Sequence, residues 1–150
     1  TAYDDYVMIG KQVIPATDGA EALITSSTDN GVSNVTTNSG RTFTPVSGSG
    51  GHGNEINSSQ NYIQLATDLG NDANEGGSFI AYFFGLNHTS FNKFMSYRYT
   101  AKHQSQDYSW GGGANMETTS AINYLRFKYS TGNVAAGSRV ALYGIKGSNH

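Results

Sequence analysis

The residues whose types suggest chemistry are four histidines, one loose group of acids and one group of aromatic rings. The histidines are His52, His88, His103 and His150. None stands four residues from another on a helical pattern, and no H-E-x-x-H zinc motif occurs. His52 and Glu55 share a glycine-rich stretch, where a mobile polar loop competes with a metal site, and His150 is terminal. Asp68, Asp72 and Glu75 lie together in a segment that also holds Asn71 and Asn74. Calcium takes carboxylate, amide and carbonyl oxygens from such loops. The group is a calcium candidate without EF-hand spacing, set against a reading as a solvated loop. Tyr97, Tyr99, Tyr108 and Trp110 flank Gln104, Gln106 and Asp107. Flat rings beside amides and carboxylates can stack the C–H faces of a sugar. In the competing reading the two tyrosines pair across strands on an outer sheet face and Trp110 caps the core.

Other chemistries lack their residues. There is no nucleophile elbow, phosphate loop or dinucleotide fingerprint. The eleven acids fall mostly in loops or beside glycines, and the Asp4-Asp5 pair reads as a solvated edge. A glycosidase needs two facing carboxylates, and nothing in the spacing marks a pair. The expectation is a non-enzymatic protein without a cofactor. The chain has no cysteine, which removes disulfides and thiolate metal sites. A net charge of −2 with scattered Lys and Arg argues against nucleic acid. The longest apolar run, residues 79–86, is strand-sized, far short of the roughly 20 residues of a membrane helix. The start of the chain does not read as a signal peptide.

The elements that must position these residues are strands. Gly, Ser, Thr, Asn and Tyr are abundant and charged residues make up 13% of the chain, which describes short strands joined by polar turns. Residues 6–9 and 12–14 read as strand around Gly10-Lys11, a bulge or tight turn, with Pro15 ending the pairing. Residues 22–25 form a short strand, and Asp29-Asn30-Gly31 carries hairpin-turn chemistry. Residues 41–46 alternate weakly. Residues 47–54 read as a flexible Gly/Ser loop inside one domain. Residues 56–69 hold a weak helical stripe, equally readable as a strand over 62–69. Residues 78–86 read as a buried strand, residues 94–101 alternate, and residues 121–129 place Leu125 and Phe127 inward with Arg126 and Lys128 outward. Residues 139–145 form the last strand, expected to be central, with Val140, Leu142 and Tyr143 buried.

The ending is also distinctive as text. Ala121-Ile122-Asn123-Tyr124-Leu125-Arg126-Phe127 is followed by Val134-Ala135-Ala136-Gly137-Ser138-Arg139-Val140-Ala141-Leu142-Tyr143-Gly144-Ile145. This stretch resembles a recurrent ending of tailed-phage structural proteins: a penultimate strand, a Gly-Asn turn, an Ala-Gly-Ser step and a strand closing on Leu-Tyr-Gly-Ile. Family members often carry Trp shortly before the penultimate strand, whereas Trp110 stands twelve residues before Ile122. The resemblance is close over the last thirty or so residues, loose over the last seventy and absent before them. It implies a jelly-roll virion component: a capsid decoration or cement protein, or a tail or fibre domain.

These readings give one antiparallel β-sandwich domain over residues 1–150, with a jelly roll as the expected form. The expected role is a virion structural protein that stabilises a capsid shell by surface contacts. Low charge and many tyrosines suggest a homo-oligomer, a trimer by preference, touching the major capsid or other virion proteins. The alternative is a carbohydrate-binding module, a receptor-binding fibre tip or lectin-like domain, built on Tyr97, Tyr99, Tyr108 and Trp110.

Overall fold

The computed structural model describes residues 3–46, 51–72, 74–103 and 106–147. Ten strands appear among them: β1 (Asp5–Val13), β2 (Ala20–Ser27), β3 (Thr37–Pro45), β4 (Gly53–Gln60), β5 (Ile63–Leu69), β6 (Gly77–Phe84), β7 (Lys93–His103), β8 (Gln106–Met116), β9 (Tyr124–Tyr129) and β10 (Arg139–Ile145). No helix occurs among the described residues. The strands form two antiparallel sheets packed face to face, a β-sandwich. The large sheet runs β10-β1-β6-β7-β8-β3-β4 and the small one β5-β2-β9. The pairs β1–β10, β2–β9 and β3–β8 are nested one inside the next. A long hairpin folded over onto itself pairs in this way, which is the wrapping expected of a jelly roll. The division into seven and three strands departs from two equal sheets.

The core follows from period-two alternation on the large sheet. In β6, Phe79, Ala81 and Phe83 face the small sheet and are buried, while Tyr82 and Phe84 are 37% and 44% exposed. The expected buried run is therefore covered on one face only, because the small sheet packs on one side of the large one. In β7, Met95, Tyr97, Tyr99 and Ala101 point inward. Ile24, Ile63, Leu65 and Ala66 meet them from the small sheet, all fully buried. Phe127 stacks on Phe79 at 4.9 Å between ring centres, so β9 packs as its alternation requires. That strand begins at Tyr124 rather than Ala121.

Several local expectations change. The two N-terminal strands are one, with an irregularity between Gly10 and Val13 and a left-handed Gln12. Gly10 is glycine because the Phe79 ring lies across it; an added Cβ would stand 2.1 Å from that ring. Asn30 and Gly31 take positive φ as their types suggest. Yet the segment joins β2 of the small sheet to β3 of the large one, so it turns between sheets and makes no hairpin. Of the expected loop at 47–54, residues 47–50 lie outside the described residues, and Gly53 and Asn54 already belong to β4. The helical alternative over residues 56–69 gives way to β4 and β5. Gln106–Met116 is one long strand straight through Gly111-Gly112-Gly113.

The last strand is the chief correction. β10 is an edge strand of the large sheet. Val140 is 42% exposed, Leu142 47% and Tyr143 55%. Leu142 lies on the same side as buried Met8, its cross-strand partner. The narrow small sheet does not reach far enough to cover it.

A buried charge ties the loops at one end. Lys93 is fully buried at the start of β7. Its three N–H donors are shared among the carbonyl oxygens of His88, Phe91, Thr118 and Thr119, 2.5–3.2 Å from the ammonium nitrogen. Burial lowers its pKa from the ordinary lysine value. The four carbonyls supply the acceptors that a desolvated ammonium requires.

Candidate functional site

One end of the sandwich opens into a cleft of about 230 Å³ between the sheets. Phe43 of β3, Glu55 of β4, Thr67 and Asp68 of β5, and Tyr108 and Trp110 of β8 line it. Register explains the convergence. Trp110 pairs with Phe43, and Tyr108 with Pro45, so the three rings share the inner face of neighbouring strands. Tyr108 lies 5.6 Å from Trp110 and 6.5 Å from Phe43, both tilted. Gly53 makes room for Phe43: an added Cβ would come within 2.7 Å of the ring. Trp110, 3% exposed, forms the back wall. Behind it the rings continue edge-on to Tyr99 at 6.0 Å and then stack onto Phe79 at 5.7 Å. The cleft is thus backed by a continuous aromatic core, which fixes the rings in place.

The polar side of the cleft is acidic. Glu55 accepts from the Arg41 guanidinium, through Nε at 2.7 Å and through Nη2. Arg41 is buried and its Nη1 makes no hydrogen bond, whereas Glu55 remains half exposed. Asp68 has φ of 49°, a left-handed conformation uncommon outside glycine, asparagine and aspartate. Rings that offer π-faces beside carboxylate oxygens suit a sugar ring or an organic cation.

The structure separates the four proposed sugar-binding rings. Tyr97 and Tyr99 are 6% and 0% exposed. Tyr97 donates its hydroxyl to the Gln64 carbonyl oxygen at 3.0 Å inside the core. Both are core residues with no ring face for a ligand, and they sit on the inner face rather than the outer one. Tyr108 and Trp110 do come together, in the cleft wall. Phe43 and Thr67 were not singled out by sequence reasoning, and Glu55 and Asp68 were read there only as metal candidates. The only sequence signal for Phe43 was its place in a weakly alternating run.

The calcium candidate does not assemble. Asp68 turns to the cleft, while Glu75 lines a separate hollow beside Gln12 and Ile14. Glu75 accepts the Asp72 N–H at 3.0 Å and donates its own N–H to the Asp72 carbonyl at 2.9 Å. Its carboxylate closes a turn. Among the described residues no three His, Asp or Glu side chains are grouped to hold a metal. His88 packs on Phe91 at 4.4 Å. His150 and the neighbours Gln104 and Ser105 of the aromatic group lie outside the described residues, and of His103 only the backbone is described.

Comparison with protein families, with curated proteins and with solved structures finds no match.

Proposed function

We propose that the protein is a non-enzymatic structural component of a tailed-phage particle, with capsid decoration as its role. The observation that carries this reading is the uncovered outer face of the large sheet. Tyr82, Phe84, Phe94 and Tyr143, 37–55% exposed, all stand on it. An apolar patch of that kind on a free domain is a site for contact. The ending over residues 121–145, with its likeness to phage structural proteins, supplies the kind of particle. A decoration protein stabilises a shell by repeated weak contacts, whose effect is multiplied by their placement in an array. Mass spectrometry of particles of the phage that encodes the chain tests the reading. The expected result is a copy number comparable with that of the shell protein. Absence from purified particles refutes it, and a handful of copies moves the protein to the tail or a fibre.

The cleft favours a second reading, carbohydrate recognition. Tyr108 and Trp110 lie together in a concavity, with Glu55 and Asp68 at its rim. Binding on a glycan array that Tyr108→Ala abolishes, with the fold intact, is the expected outcome. An array without hits, or binding that survives this substitution, sinks it.

A further inference from the structure

The outer face of the large sheet has two unlike halves. Across β10, β1 and β6 it carries a ridge: Tyr143 beside Val7 beside Tyr82 in one row, and Ala141 beside Ile9 beside Ile80 in the next. Across β7, β8 and β3 the same rows continue as Ser96, Gly113, Gly40 and as Arg98, Gly111, Thr42. Over these two rows the second half is a furrow of glycines and small side chains beyond Arg98, with Phe94 in the next row and Ile56 of β4 at its far edge beside Gly40.

Two of the three glycines of the furrow have no cause within the chain; at the third, Gly113, an added Cβ would stand 3.1 Å from the Met95 carbonyl oxygen. Gly40 and Gly111 are in strand conformation without positive φ. A Cβ on either would find its nearest neighbour at 3.9 and 3.8 Å, ordinary contact. At Gly10 and Gly77 an aromatic ring fills the Cβ position, and at Gly112 the backbone of β3 does. Glycine inside a strand weakens it, and where nothing in the chain requires it, it marks a place where another surface approaches closely.

We infer that this face is a two-fold interface with a second copy of the same chain, β6 and β7 of each copy lying over the furrow strands β3 and β8 of the other. A two-fold axis parallel to the strands, between β7 and β8, sets β7 on β8, β6 on β3 and β1 on β4 of the second copy. Tyr82 then lies over Gly40 of the second copy, and Ile80 over its Thr42. Arg98 lies over Gly111 of the second copy, clear of the other Arg98. Such an isologous contact uses one patch for both subunits. Its size is sufficient: six overlapping strands at about 4.8 Å spacing and seven residues of about 3.4 Å rise cover about 700 Å² of flat sheet. A stable interface needs about 800 Å² per partner, and side-chain relief adds to the flat figure. The assembly is two-fold rather than the trimer that composition suggests, and it leaves β10 with Tyr143 outside the overlap as the part of the face open to a shell.

Sedimentation velocity on the full chain from about 1 to about 100 µM tests this. The expected species is a dimer. Gly40→Leu and Gly111→Val fill the furrow, and each is expected to raise the dimer dissociation constant at least about tenfold. Phe94→Gln, on the exposed face, is expected to act in the same direction, which guards against a furrow variant that misfolds. A monomer throughout the range overturns the inference. So does a trimer, or a dimer that the furrow variants and Phe94→Gln leave unchanged.

Discussion

Leu142→Ala and Leu65→Ala remove the same atoms from opposite situations. Leu65 is fully buried between the sheets. Its truncation loses the whole transfer free energy and leaves a cavity that the packed core cannot close, for about 3–5 kcal/mol. Leu142 keeps 47% of its surface in water. About half of the roughly 1.5–3 kcal/mol of a fully buried leucine is at stake there, and water reaches the site, so no cavity term is added. The cost is about 1 kcal/mol. Trp110 is the one tryptophan of the chain and is buried, so its fluorescence reports unfolding directly. Urea titrations of both variants at one low protein concentration, with unchanged slopes, give the two differences in stability. A Leu142→Ala loss equal to that of Leu65→Ala would refute the reasoning, because it would require a covered inner face on β10 and hence a wider second sheet.

Three further outcomes are expected. Hydrogen bonds from Ser27 and Ser33 hold the Asp29 carboxyl at about 2. A folded-state pKa below the unfolded one contributes stability present above about 3.8 that is lost as pH falls through about 2. Amide exchange at Ser33 is therefore expected to accelerate in that window, and Asp29→Asn to remove the dependence. Burial pushes the Tyr129 hydroxyl up to about 12 and those of Tyr97 and Tyr99 upward as well. Raised acids stabilise the fold fully below an unfolded value of about 10 and cease to do so as pH rises through the folded values. Absorbance titration is expected to show these three of the ten tyrosines ionising only with alkaline unfolding; ionisation in the folded protein near pH 10 contradicts the packing. Lys93→Met strands four carbonyl oxygens and is expected to cost about 3 kcal/mol in urea unfolding, since unpaired buried acceptors are penalised; a neutral result means that water replaces the ammonium.

Sequence made the strand class and much of the inward pattern legible where alternation was strong. Residues 94–101 and 121–129 were readable because Met95, Tyr97 and Tyr99, and Leu125, Phe127 and Tyr129, recur at every second position. β8 was not, since three consecutive glycines carry no alternation and look like a linker. Only the flanking strands β3 and β7, with a residue paired to each glycine, make a strand of them. β10 was misread for another reason. Val140, Leu142 and Tyr143 look like core, but exposure depends on the width of the opposite sheet, which no local pattern records. The cleft was half legible. Tyr108 and Trp110 stand close in sequence, whereas Phe43, Glu55 and Asp68 reach them from three other strands, and only the nested topology sets them side by side.

That nesting also dictates an order of events. β1 lies between β6 and β10, so residues 5–11 wait for partners 139–145 at the far end of the chain. Closing such distant pairs is slow, because the entropy of the whole intervening loop is lost before any contact rewards it. During synthesis, one flank of β1 stays unpaired after β6 has joined the other, until the last strand leaves the ribosome. A stall or truncation before residue 139 would leave an open strand edge beside Val7, Ile9 and Tyr82, and such edges recruit other chains. For this protein, prompt synthesis of β10 protects the nascent domain against aggregation.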